Sequence, residues 1–201
     1  KYQSEAVKKG YSGVCIYSKE KSTKVSKNFG SKTFSDEGRF IEIELSKIRM
    51  ISVYFPSGSS GETRQNLKYQ FMEKFEKYMK KIKKSKKPTI ISGDWNIVHK
   101  EIDIKNWKSN QKNSGCLPKE REWLDKVFDS YGFIDAFRVI NNKPDNYTWW
   151  SNRGRAWDNN VGWRIDYQVI SPHDTVKPIN AKIYKKKRFS DHSPLIMEYK
   201  L

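Results

Sequence analysis

Asp94 and Asn96 stand two residues apart in "SGDWNIVHKEID", at the end of a predicted strand where apolar residues would pack better. Side chains two apart on a strand share a face, so this carboxylate and carboxamide can converge on one ligand. An Asx turn closing the strand would use the same two residues. Asp191 and His192 are adjacent in "FSDHSP", just ahead of the last predicted strand. An imidazole there can exchange a proton near neutral pH or stabilise an anionic oxygen, although Asp-His is also an ordinary loop pair. Asp166 in "GWRIDYQVIS" lies on the opposite face from Ile165 and Tyr167, and a mid-strand carboxylate is costly to bury unpaired. A histidine would satisfy it and fix the imidazole tautomer; an edge strand with Arg164 alongside is the plainer alternative. Tyr54 in "VYFPSG" places a phenol at a strand end before a Gly/Ser-rich loop, where a core-rim aromatic would look the same.

The elements that must position these residues are legible from periodicity. "SGVCIYSK" and "KIRMISVYF" read as strands, and "GRFIEIEL" alternates Ile41, Ile43 and Leu45 against Glu42 and Glu44 like a half-buried one. Leu67, Phe71, Phe75, Met79 and Ile82 recur four, four, four and three residues apart, predicting an amphipathic helix. It runs into "KKIKKSKKP", whose cations suit the negative C-terminal end of a helix. "TIISGDWNI" is the next strand, and Pro118 opens a helix with Trp123, Leu124, Val127, Phe128 and Tyr131 on its face. "YTWW", "WRIDYQVIS", "AKIYKKK" and "PLIMEYKL" complete the strands. Two helices among many strands predict a mixed, layered α/β sandwich.

The chain has 201 residues, the size of one domain, and a formal charge of +17. Such an excess opposes compaction and attracts polyanions. Nucleic acid is the partner it favours, ahead of an anionic membrane surface or a lysine-rich surface with no partner. Cys15 and Cys116 lack zinc-site spacing and read as reduced thiols, placing the protein in the cytoplasm (nucleoid) or nucleus. No run reaches membrane-span length and no signal-peptide pattern opens the chain, so secretion is not expected. The start at Lys1, without Met, reads as a processed form or a fragment.

Taken in chain order, "VYFPSG", "GDWNIVHKEIDI", "KSNQKNSG", "NVGWRIDY" and "SDHSP" resemble the exonuclease III family of abasic-site (AP) DNA endonucleases. That family lies within the DNase I-like endonuclease/exonuclease/phosphatase superfamily, and the likeness runs from about Gly10 to Leu201. "SDHSP" and the GDxN pattern are shared with Mg²⁺-dependent phosphodiesterases and phosphatases at large; "NWKSNQKNSG" and "NVGWRIDY" resemble the DNA-repair branch. The resemblance implies a DNase I-like four-layer α/β sandwich, two packed β-sheets flanked by helices, as one domain over 1–201. By the same resemblance Asp94 would orient and deprotonate a water, with Asn96 contacting the phosphate. His192, held by Asp166, would stabilise phosphate charge, and Tyr54 would bond the same group. Asp191 would lie near Mg²⁺, with Mn²⁺ a substitute. Asn110 and Asn113 would meet the DNA backbone, and Trp149, Trp163 and Ile165 would line a pocket for an extrahelical abasic sugar. Trp150 is expected in the core rather than in that pocket.

The chain departs from the pattern it resembles in two respects, the first the larger. The Asn-Gly strand and the Gln-Glu-Thr motif, whose glutamate is the family's principal metal ligand, do not precede "GYSGV". The expected fold is accordingly N-terminally truncated, lacking that strand and the glutamate segment, with weak Mg²⁺ binding and weak or no cleavage by this chain alone. Ser57 stands where many relatives carry Asn. The expected function is Mg²⁺-dependent hydrolysis of DNA 5′ to abasic sites, 3′→5′ trimming of duplex ends, or both. Its partner is double-stranded DNA with abasic or 3′-blocked lesions, with no membrane and a monomeric state when complete. The rivals are another phosphohydrolase of the same fold and a non-catalytic or impaired DNA-binding fragment.

Overall fold

The computed structural model describes residues 1–201. The first half of the chain forms β1 (Tyr2–Glu5), β2 (Gly13–Ile16), β3 (Lys24–Ser26), α1 (Lys32–Asp36), β4 (Phe40–Glu44) and β5 (Arg49–Tyr54). After α2 (Glu62–Lys83) and β6 (Thr89–Asp94) come the short helix α3 (Trp107–Asn110) and α4 (Pro118–Asp125). The remainder is β7 (Ile134–Asp135), α5 (Ala136–Ile140), β8 (Trp149–Trp150), β9 (Gly162–Trp163), β10 (Asp166–Ile170), β11 (Lys177–Ile183) and β12 (Leu195–Lys200).

Six strands form a mixed sheet in the order β3-β4-β5-β6-β10-β7. Only β5 and β6 are parallel, because α2 carries the chain back across the sheet between them. One face presents Phe40, Ile51, Val53, Ile91, Tyr167 and Val169 to Phe71, Phe75 and Met79 of α2 and Leu124 of α4. Phe71 is fully buried, and its truncation to Ala would cost about 3–5 kcal/mol. At one end of the opposite face Ile90 and Ile170 pack against Met197 and Tyr199 of β12. Helices, sheet and a second β layer thus stack as the α/β sandwich expected. The second layer is divided into the two-stranded pairs β1–β2, β11–β12 and β8–β9.

Three local features differ from the sequence-based expectation. β4 is covered on both faces rather than half-buried: Glu42 is 6% exposed, accepts a hydrogen bond from the Tyr78 hydroxyl and lies 3.5 Å from Arg49 Nε. Pairing of the carboxylate removes the reason for it to face water. The helix opened by Pro118 stays α-helical only to Asp125 and widens into a π-turn over Lys126–Ser130. α1, α3 and α5 have five, four and five residues, too few for an apolar period to register.

Candidate active site

The pairing register puts three candidate residues in one rung. Tyr54 of β5 is the partner of Asp94 in β6, and Asp94 is the partner of Asp166 in β10. Side chains opposite one another in adjacent strands share a face, so phenol and two carboxylates line up at one end of the sheet. Close strand approach at this end depends on Gly93. Its φ is +146°, and a Cβ there would sit 1.8 Å from the Val53 carbonyl oxygen. Asp166 opens its strand rather than lying within it, and its backbone N–H and that of Ile165 both donate to Thr148 Oγ1 at 3.1 Å.

The Asx-turn alternative for Asp94 and Asn96 is realised, and it builds the site. Asn96 has left the strand and lies at φ +52°. Its N–H donates to Asp94 Oδ1 at 2.8 Å, and its Nδ2 donates to Asp94 Oδ2 and to the Phe55 carbonyl, both at 3.0 Å. One amide proton is thereby engaged by the Asp94 carboxylate and the other by the Phe55 carbonyl. The phosphate contact expected of Asn96 would have to displace one of them.

His192 sits across the rung, with Nδ1 2.9 Å from Asp166 Oδ2. Arg164, the alternative partner for Asp166, points away to Asp103 and Asp135 instead. Burial works against protonation of His192, but the Asp166 hydrogen bond and charge overcome it and raise its pKa to about 9. Burial, with Asp166 as a like-charged neighbour, pushes Asp94 up to about 7. Burial and then the Asp94 charge also raise Tyr54, whose ring lies under the Arg39 guanidinium, 4.8 Å from its centroid.

Tyr54, Asp94, Asn96 and His192 line a cavity of about 710 Å³ that also takes in Asn113, Trp149, Trp163, Ile165 and Asp191. Its aromatic wall is built by β8 and β9, which pair Trp149 with Trp163 at 5.9 Å and 85°. Trp149 Nε1 donates to Asp191 Oδ2 at 3.0 Å, tying that wall to the His192 loop. Trp150 is 1% exposed and lies in the core, as expected of it. Gly115 closes the other side at φ +92°, where a Cβ would press on the Trp163 ring at 3.1 Å and on the Asn96 carbonyl oxygen at 3.0 Å. Asn110 and Asp166 are the candidates outside this cavity. Asp166 lies behind His192, in the lining of a neighbouring one. Asn110 sits on the other side, lines a further cavity beyond the Trp149 and Trp163 wall and holds Asn113 Nδ2 through its Oδ1 at 2.8 Å.

Asp191 is the one Asp or Glu besides Asp94 on the cavity wall, and Asp94 is engaged by Asn96. Oxygen donors suit Mg²⁺ in kind, but no group of three or more His, Cys, Asp or Glu is placed to hold a metal ion. The residues of this chain do not by themselves make a metal site. No helix is long and apolar enough to cross a membrane.

Sequence reasoning missed Lys68 and Glu120, both fully buried behind the cavity and 2.5 Å apart. Lys68 falls four residues before Met72 and seven before Phe75, on the apolar face of α2. A lysine on that stripe was the available signal.

Residues 2–192 match the Endonuclease/Exonuclease/phosphatase family. The Exodeoxyribonuclease of Bacillus subtilis is 38% identical over 197 residues, covering 96% of this chain and 77% of that protein. The DNA repair nuclease APEX1 of Danio rerio is 35% identical over 94% of this chain and 61% of its own length. Among solved structures, an AP endonuclease from Archaeoglobus fulgidus superposes with a TM-score of 0.78 at 24% identity. That superposition covers 90% of this chain and 72% of the other, a likeness of fold.

Proposed function

The chain belongs to the Endonuclease/Exonuclease/phosphatase family, and from that premise we propose that it is a DNA-repair phosphodiesterase hydrolysing the backbone of duplex DNA. The substrates proposed are the bond 5′ to an abasic site and blocked or recessed 3′ ends. The observation that carries this reading is the rung of Tyr54, Asp94 and Asp166, with His192 on Asp166, beside an aromatic-walled cavity. Asp94, raised to about 7, is matched to taking a proton from water near neutral pH, and Asn96 fixes its orientation. His192, held as imidazolium by Asp166, donates from Nε2 to a phosphate oxygen as charge develops there. Tyr54 adds a phenolic donor to the same group. Trp149, Trp163 and Ile165 give the cavity an apolar side that suits a sugar without its base. Asn113, on the cavity wall, and Asn110, hydrogen-bonded to it, are the residues proposed to meet the DNA backbone, and contacts of that kind position DNA without reading sequence.

The family is one of divalent-metal-dependent nucleases. Mg²⁺ is the ion proposed, with Mn²⁺ able to replace it, and Asp191 is the carboxylate this chain offers. A DNA substrate would set the protein to work in the cytoplasmic nucleoid or the nucleus, as a monomer when complete. The test is a duplex carrying one stable abasic analogue, incubated with Mg²⁺ or with chelator. Metal-dependent incision 5′ to the lesion is expected of a protein that also carries the family's metal-ligand glutamate, with weak cleavage or none by this chain alone. Preference for soluble inositol phosphates over duplex DNA would sink the reading. The absence of a three-carboxylate cluster favours one second reading, a DNA binder without catalysis. It predicts salt-sensitive binding with no strand cut at any Mg²⁺ concentration.

A further inference from the structure

Lys68 and Glu120 are each 0% exposed, and Lys68 Nζ lies 2.5 Å from Glu120 Oε1. Burying an ion pair gains little stability, since well-packed apolar residues of the same volume do as well or better. The free ends of this pair show what else it does. Lys68 Nζ donates to the Asn96 carbonyl at 2.7 Å. Glu120 Oε2 accepts from the backbone N–H of Gly115 at 2.7 Å and of Leu117 at 3.0 Å. Gln65 Nε2 donates to its Oε1 at 3.1 Å.

Two loops that share no strand are therefore joined through one buried pair. The first, at Asn96, holds the Asp94 carboxylate. The second, Ser114 to Leu117, lines the cavity beside Asn113 and is fixed to the first by Val98 N–H donating to the Gly115 carbonyl at 2.6 Å. A non-glycine residue at φ +52° costs of order 1 kcal/mol and persists only where its surroundings impose it. Asn96 has its N–H and Nδ2 on Asp94, its Nδ2 also on Phe55, and its carbonyl on Lys68. Only the last of these reaches out of the site to a helix.

We propose that Lys68, held in place by Glu120, is a positioning residue. It clamps Asn96 in its left-handed turn, so that the Asp94 carboxylate and the Ser114–Leu117 loop hold a single geometry. This rests on the catalytic reading of Asp94 given above. Lys68 touches no substrate. Its loss acts on turnover through Asn96 and Asp94, not on the encounter with DNA.

The test uses the full chain and the neutral pair Lys68→Met with Glu120→Gln, which removes both charges and leaves neither buried alone. On the abasic duplex, kcat falls about 30-fold while KM stays within about twofold of the parent value. Lys68→Arg restores most of the rate. A kcat within about twofold of the parent for the double variant, or a loss confined to KM, overturns the proposal. Amide exchange of the free protein separates this from the functional reading. Residues 95–97 and 114–117 exchange about tenfold faster or more in the double variant, while the core of α2 does not change. Unaltered protection in those two loops overturns the clamp, whether or not the parent protein cuts DNA. Where the parent leaves DNA intact, the exchange difference alone decides the clamp, and the catalytic reading stands or falls by the abasic-duplex assay above.

Discussion

Two polar clusters lie on either side of the segment from Trp163 to Asp166, and they treat their carboxylates in opposite ways. Behind the wall, Arg164 bonds Asp103 at 2.7 Å and Asp135 at 2.6 Å, and Arg138 reaches the same Asp103 oxygen at 2.5 Å. Two guanidinium groups serve two carboxylates. Burial alone would raise Asp103, yet Arg164 and then Arg138 hold it at about 2. In front of the wall, Asp94 and Asp166 face one imidazole, and Asp94 rises to about 7. Arg164 and Asp166 are two residues apart in sequence and serve different clusters. Where every buried charge is answered, the cluster fixes the backbone. Where carboxylates outnumber nearby cations, a group is left able to move a proton.

The strongest way to break that contrast is to remove chemistry without removing fold. Asp94→Asn and His192→Ala are each expected to lower kcat/KM for the abasic duplex about 10⁴-fold, close to 5 kcal/mol of transition-state stabilisation. Melting temperature should hold or rise. If either variant keeps a tenth of the parental rate, the front cluster is not the reacting one.

The mirror experiment is Asp103→Asn. It leaves Arg164 and Arg138 short of charge in a buried place, and breaking such a pair costs about 3–4 kcal/mol, read as a lower urea midpoint with an unchanged m-value. Cleavage measured well below the melting temperature should remain within a few-fold of the parent. A large rate loss with little change in stability would dissolve the distinction between the two clusters.

The pH dependence of stability sharpens it further. Asp94 is raised from 3.8 to about 7, so the folded protein binds a proton between those values that the unfolded chain has released. Its contribution is therefore greatest at low pH and is lost as pH rises through about 7. For this carboxylate at a cavity wall we expect a loss of about 2 kcal/mol between pH 4 and pH 8. Asp94→Asn should remove that slope. A variant whose stability falls with pH as the parent's does would show that Asp94 is not the group titrating.

Much of the framework behind this contrast was legible in the sequence, because the apolar runs around Ile51 and Ile91 and the near-four spacing around Phe71 set the strands and the crossover helix. Asp94, Asp166 and His192 were nameable from type and position. Their convergence was not, because register is a property of three strands distant in sequence. The turn at Asn96 was weighed as an alternative to function when it is the device that aims Asp94. Glu42 misled for a related reason. Its partner, Tyr78, lies 36 residues away on α2, and alternation alone cannot reveal that a carboxylate will be paired. Lys68 was hidden by the habit of reading lysine as solvated, which the +17 charge of this chain encourages.

The smallest expected effect lies at the rim, where neither cluster reaches. Lys112 is exposed, lines the cavity beside Asn113, and has no ion-pair partner within 4 Å. An exposed cation in that position can neutralise one phosphate of a passing strand, so its worth should be that of one released counterion. Lys112→Ala is predicted to lower the slope of log binding constant against log salt by about 0.9. At low salt, duplex affinity should fall two- to five-fold, under about 1 kcal/mol. The turnover of bound substrate should not change, because nothing in the Tyr54, Asp94 and Asp166 rung touches this side chain. Fluorescence anisotropy of an end-labelled duplex across a salt series reads the slope directly. An unchanged slope would place the DNA backbone elsewhere on this surface, whereas a fall in kcat would mean that the rim and the reacting cluster are coupled.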